Sequence, residues 1–150
     1  MNNTLIKEIM TRGPDVVPPN TSVIDAAVRM KSLGCGILPV GNSDAIVGMI
    51  TDRDITLRVV AEGLNPATTF VQDVMTGHVH TVDENEDIET AASIMHEHDV
   101  GRLIVMHKKM VTGIVTMAAL LRNMGDADQS RRVVRELAGV DGAGWTLDNR

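Results

Sequence analysis

The sequence predicts a mixed α/β (α+β) fold built from two copies of one β-α-β-β-α unit. Three observations predict it. A pattern of about 50 residues recurs 65 positions later without a gap. Each copy alternates short β-branched runs with one apolar stretch of helical period. The 150 residues are 43% hydrophobic and 23% charged, the balance of a folded globule rather than a disordered chain. One such unit has few strands and a thin apolar face, so two are expected to pack together.

The repeat is read by shifting the chain on itself. Met10-Thr11 falls on Met75-Thr76, Val17 on Val82, Ala26-Ala27 on Ala91-Ala92, and Met30 on Met95. Gly36, Leu38, Val40, Gly48 and Thr51 fall on Gly101, Leu103, Val105, Gly113 and Thr116. Residues 6 to 55 contain 12 identities in 50 positions. The first unit is placed at 5–63, a linker at 64–70, the second unit at 71–125, and a tail at 126–150.

Each element follows from its residues. A short strand is expected at Asp15 to Val17 and at His80 to Val82, the first stopped by Pro18-Pro19. Val23, Ala26, Ala27 and Met30 lie at i, i+3, i+4 and i+7, one face of a helix, and Ile88, Ala91, Ala92 and Met95 repeat it. Ser22 with Asp25 has the form of a capping box, Asp87 suits a helix start, and Gly34 ends the first helix. A hairpin follows: Ile37 to Val40 and Ile46 to Ile50 around Gly41-Asn42-Ser43-Asp44, and Arg102 to Met106 and Met110 to Val115 around His107-Lys108-Lys109. Thr51 and Thr116 open the last helices, which run to about Ala61 and Met124.

The tail holds a helix from about Asp128 to Ala138 with an apolar stripe of Val133, Val134 and Leu137. A glycine-rich stretch, Gly139 to Gly144, and Trp145 follow. The stripe suits docking on its own domain or a subunit interface, where Trp is favoured.

Composition excludes several functions. The net charge is −6, from 14 Lys+Arg against 20 Asp+Glu, with no strongly basic run, so no nucleic acid and no anionic membrane surface is expected as partner. No apolar run reaches transmembrane length, and the N-terminus lacks a signal-peptide core. Cys35 is the one cysteine, which fits a cytoplasmic location. Phe70 and Trp145 are the aromatics, so the core falls to aliphatics and ten Met. No metal site is expected: His96 and His98 diverge on a helix, and neither they nor His78, His80 and His107 have a third ligand at metal spacing. No catalytic motif is present, and no enzyme is expected.

The Met-Thr lead-ins, the Ala-Ala-x-x-Met helices, Leu38-Pro39-Val40 and Gly48-Met49-Ile50-Thr51-Asp52-Arg53-Asp54, taken in order, resemble the CBS-domain tandem pair, or Bateman module, and above all small stand-alone bacterial members. The resemblance covers residues 5 to about 122. It implies two units packed about a pseudo-twofold axis, a homodimer, and regulation through an adenosine-type ligand such as AMP, ADP, ATP or S-adenosylmethionine; no cofactor is required. Dimerisation or protein interaction without a ligand is the alternative.

The resemblance places the ligand motif Gly-h-h-Thr-x-x-Asp on Gly48, Thr51 and Asp54. A carboxylate there accepts hydrogen bonds from both ribose hydroxyls, and the Thr51 hydroxyl and free helix N–H groups suit an oxygen or anion. Thr51-x-x-Asp54 is equally the form of a helix capping box, and the two roles are compatible. An adenine slot is implied along Ile37, Leu38 and Pro39 and the segment Thr11 to Val17. Arg53 and Arg58 would offset Asp52 and Asp54 if they face the cleft. A weaker second site would use Thr76, His80, Val82, Arg102, Leu103 and Thr116. There Ala119 replaces the carboxylate, so one preferred site is expected.

Overall fold

The computed structural model describes residues 4–42, 44–125 and 127–138. In chain order the elements are α1 (Ile6–Ile9), β1 (Thr11–Arg12), α2 (Val23–Leu33), β2 (Ile37–Gly41), β3 (Ile46–Thr51), α3 (Asp52–Ile55), α4 (Val71–Val74), β4 (Thr81–Asp83), α5 (Ile88–His98), β5 (Arg102–His107), β6 (Met110–Thr116), α6 (Met117–Arg122) and α7 (Ala127–Leu137). Between α3 and α4 the helix continues as a π-helical stretch, Thr56–Val60. Ser43, the glycine-rich 139–144 and Trp145 lie outside the described residues.

The chain forms two compact units, and their limits differ from the repeat limits. One comprises Pro14–Val79; the other comprises Met1–Gly13 with His80–Arg150. The boundaries at 5–63 and 71–125 are those of the sequence repeats, each with its own lead-in, and the compact units regroup the lead-ins. The lead-ins exchange. Ile6 and Lys7 donate their N–H groups to the carbonyls of Glu86 and Glu84, before α5. Val71 and Gln72 donate to the carbonyls of Thr21 and Pro19, before α2. Ile6 and Val71 are wholly buried in their adopted cores. Burying such a side chain is worth about 1.5–3 kcal/mol, enough to fix each lead-in where it docks.

In the unit Pro14–Val79, β2 and β3 pair antiparallel, with Ile37 opposite Thr51 and Leu38 opposite Ile50. Val17 bridges Val40 in parallel, and Thr76 bridges Met49 antiparallel. Val17, Val23, Ala26, Met30, Leu38, Val40, Ile50, Val59, Val71 and Val74 form the core. The Ser22 hydroxyl caps α2 by accepting the Asp25 N–H at 3.2 Å, and Gly34 ends it with φ of 65°.

The second unit holds a four-stranded sheet in the order β1-β6-β5-β4, with β4 parallel to β5. Its core gathers Ile88, Ala91, Ala92 and Met95 from α5 with Leu103, Val105, Val115 and Leu120, and α7 adds Val133 and Leu137. Asp87 caps α5, its carboxylate accepting the Thr90 N–H at 2.8 Å.

The expected strand Asp15 to Val17 is absent; only the Val17 bridge remains. Its counterpart is a full strand, displaced by one residue to Thr81–Asp83. Two prolines account for the difference. In the second unit the Ile104 N–H donates to the His80 carbonyl at 3.1 Å, and the Glu84 N–H to the Met106 carbonyl at 3.0 Å. The equivalent positions are Pro39 and Pro19, which have no N–H to give. Only the central bonds survive: Val17 N–H to the Pro39 carbonyl and Gly41 N–H to the Val17 carbonyl, both 2.9 Å.

Candidate functional site

The site grows from the β3–α3 junction. β3 ends at Thr51, whose extended backbone (φ −117°, ψ 161°) turns the chain into α3. The Thr51 hydroxyl accepts the Asp54 N–H at 3.1 Å, and the Asp54 carboxylate accepts the Thr51 N–H at 3.0 Å. The capping box is therefore complete, and it fixes the rotamer of Asp54. Asp54 is only 7% exposed, an unusual burial for a carboxylate without further partners.

Two further side chains meet it. The Thr76 hydroxyl donates toward both carboxylate oxygens of Asp54, at 3.2 and 3.3 Å. The Arg58 guanidinium stands 3.7 Å from Asp54 Oδ1 and donates to the carbonyls of Val74 and Met75 at 2.9 and 3.0 Å. Arg58 lies on the π-helical stretch, and half of its side chain is exposed. Asp52 turns its carboxylate to the Arg53 N–H at 2.9 Å, while its own N–H donates to the Gly36 carbonyl.

Glycine at position 48 has a steric cause. A Cβ there would sit 2.7 Å from the Thr76 carbonyl oxygen and 2.8 Å from Met75 Sδ. Gly113 is under the same pressure from Thr11 and Met10, at 2.7 and 2.6 Å. Both glycines let an exchanged lead-in close on β3 or β6.

This exchange corrects two placements. Thr11, expected beside Thr51, instead pairs with Ile114 on β6 in the other unit, where its side chain is exposed. Thr76, expected in the weaker second site, lies against Asp54. The repeat makes Thr11 and Thr76 equivalent, but nothing local in the sequence states which strand each joins.

The remaining expected residues of the first site are brought together. Ile37 faces Thr51 across β2–β3, and Val17 is tied to Pro39 through the backbone. The side chains of Val17 and Leu38 belong to the core, so the backbone of this strand, rather than those side chains, borders the junction. Arg53 is half-buried at the start of α3.

At the second junction Arg102 faces Thr116, and the Thr116 hydroxyl caps α6 by accepting the Ala119 N–H at 3.1 Å. Ala119 provides no return acceptor. Asn123, equivalent to Arg58, turns back to the Ala119 carbonyl at 2.8 Å. Val82 and Leu103 are core residues. The His80 ring stacks on His98, with centroids 3.9 Å apart. Among the described residues no group of three or more His, Cys, Asp or Glu is placed to hold a metal ion. Cys35 is half-buried and directs its thiol to the Ile37 carbonyl.

Comparison with known proteins decides the family: the CBS-domain model matches twice, at residues 6–61 and 71–126. The chain belongs to the CBS-domain family. The two matches coincide with the sequence repeats, so CBS sequence units and compact units divide this chain at different places. Among its CBS-domain relatives is hypoxic response protein 1 of Mycobacterium tuberculosis, 34% identical over 81% of this chain and 85% of that protein. CBS domain-containing protein YhcV of Bacillus subtilis is 34% identical over 79% and 84%. A crystal structure of hypoxic response protein I with two coordinated zinc ions superimposes with TM-score 0.70 at 32% identity, covering 81% of this chain and all of that one. A conserved protein from Pyrococcus horikoshii gives 0.71 at 31%, covering 81% and 93%. The inosine-5'-monophosphate dehydrogenase of Thermoplasma acidophilum matches 82% of this chain, but only 24% of that enzyme's length. No helix among the described residues is long and apolar enough to cross a membrane.

Proposed function

We propose that this CBS pair is a cytoplasmic regulatory module that binds an adenosine-type ligand at the Thr51/Asp54 junction. The observation that carries it is Asp54: a nearly buried carboxylate, held in one rotamer by a capping box, at a helix start beside the Ile37–Pro39 strand. A preset carboxylate of this kind accepts two hydroxyl hydrogen bonds at little entropic cost, which suits a ribose diol. Two arginines, Arg53 and Arg58, follow Thr51, and so few positive charges favour a mono- or diphosphate over a chain of three. Calorimetric titration with AMP, ADP, ATP and S-adenosylmethionine tests the reading: at least one binds, and Asp54→Ala abolishes or strongly weakens it. Absence of binding by all four refutes it.

A second reading, dimerisation or protein interaction, has its own observation. Ile24 and Val28 on α2, with Leu57, Val60 and Leu64 beyond α3, are exposed. The repeat-equivalent residues are Glu89, Ser93, Arg122, Gly125 and Gln129. In that unit α7 packs on α5 and α6, and Arg132 pairs with Glu89 at 2.8 Å. An apolar helix face without a covering helix from its own unit suits a homodimer contact. Sedimentation of Val28→Glu tests it: a dimeric wild type turned monomeric supports it, and an unchanged mass opposes it.

A further inference from the structure

Asp54 already has partners on both of its carboxylate oxygens. One oxygen accepts the Thr51 N–H, and the Thr76 hydroxyl lies within reach of both oxygens, at 3.2 and 3.3 Å. A hydroxyl nearly equidistant from the two carboxylate oxygens takes the position between them, one for which a diol hydroxyl would compete. Arg58 ties the Val74 and Met75 carbonyls and approaches the same Asp54 Oδ1. The second junction has none of this: Ala119 replaces the carboxylate, and Asn123 bonds its own helix. The clamp is a property of one junction and not of the repeat.

We infer that Thr76 is a built-in competitor for the ligand, an autoinhibitory contact that a diol must displace from Asp54. The inference rests on the nucleotide reading proposed above. Displacement breaks the side-chain contact between Thr76 and the helix start, while Arg58, the Met49 backbone bridge and the burial of Val74 still hold residues 74–76. Residues 77–79 then lead directly to His80, where the second compact unit begins. Occupancy of Asp54 would thereby be felt at residues 77–79, one of the two places where the chain passes from one unit to the other.

The test uses the full chain and AMP as probe. Thr76→Val keeps the shape and removes the donor; Thr76→Ala replaces it should the valine chain fail to fold. The donor-less chain binds AMP about threefold to tenfold more tightly than wild type, the equivalent of one ordinary hydrogen bond. Thr76→Ser keeps the hydroxyl and retains wild-type affinity. Without ligand, urea denaturation of Asp54→Ala, Thr76→Val and the double variant shows the contact itself: the double change costs less than the sum of the singles. Additive losses overturn the clamp whatever AMP does. AMP binding that is unchanged or weakened in Thr76→Val overturns the competition while leaving the nucleotide site standing. No AMP binding by any of the chains overturns the competition together with the assignment of AMP to the site.

Discussion

The hydroxyl of Thr76 lies 3.2 and 3.3 Å from the two carboxylate oxygens of Asp54, although 22 residues separate them. That contact joins the start of one CBS repeat to the β3–α3 junction of the other. The second junction has no such contact, because Ala119 stands where Asp54 does in the first.

Thr51 holds the junction whether or not a ligand is present. Thr51→Ala removes the acceptor for the Asp54 N–H and leaves only the backbone half of the box, the N–H of residue 51 on the Asp54 carboxylate. The expected cost is about 1 kcal/mol of stability, read from the urea midpoint. The same change at Thr116, where only half a box exists, is expected to cost no more.

Gly48 and Gly113 are the closest approaches of the exchanged lead-ins. Gly48→Ala pushes a methyl to within 2.7 Å of the Thr76 carbonyl, and Gly113→Ala does the same to Thr11. Each is expected to destabilise the chain by roughly 1–3 kcal/mol, since backbone has to move. Urea denaturation, with amide exchange at Met49 and Thr76, distinguishes this from a local surface change: the 48 variant loses protection there, and the 113 variant keeps it.

The Lys108-Lys109 turn between β5 and β6 places both residues at positive φ, 48° and 68°. Asn-Gly prefers that conformation and lysine does not. Lys108→Asn with Lys109→Gly is expected to raise stability by about 1 kcal/mol without changing the fold, as thermal denaturation will show.

The tail helix docks on its own unit. Val133 and Leu137 are buried in the second core, whereas Val134 is 50% exposed. Leu137→Ala is expected to cost about 2–4 kcal/mol and Val134→Ser to be nearly neutral. Equal effects would contradict this docking.

The repeat and its element order were legible because periodicity and turn chemistry act locally. The 3.6-residue stripes at Val23 to Met30 and Ile88 to Met95, the Ser22 and Asp87 caps and the Gly34 stop all occupy their expected places. Three features were not legible. The loss of strand at Asp15 to Val17 depends on Pro39, a residue of the neighbouring strand, as well as on Pro19. The exchange of lead-ins depends on which hairpin each apolar Ile6 or Val71 finds, a choice between two nearly equivalent partners. The apolar stripe at Val133, Val134 and Leu137 allowed both docking and an interface, and only packing divides Val133 from Val134. At the junction, the Thr51-x-x-Asp54 spacing announces the capping box that forms, the ligand role came only from the family resemblance, and the contact of Thr76 with Asp54 depends on an exchange that no local pattern states.

Recognition of a ribose diol by Asp54 is tested most directly by comparing AMP with 2′,3′-dideoxy-AMP on wild type and Asp54→Ala. The account predicts that wild type binds AMP roughly tenfold to a hundredfold more tightly than the dideoxy compound, the worth of hydrogen bonds to a charged acceptor. In Asp54→Ala that preference collapses. Equal binding of the two compounds by wild type, or a preference that survives in Asp54→Ala, would contradict it.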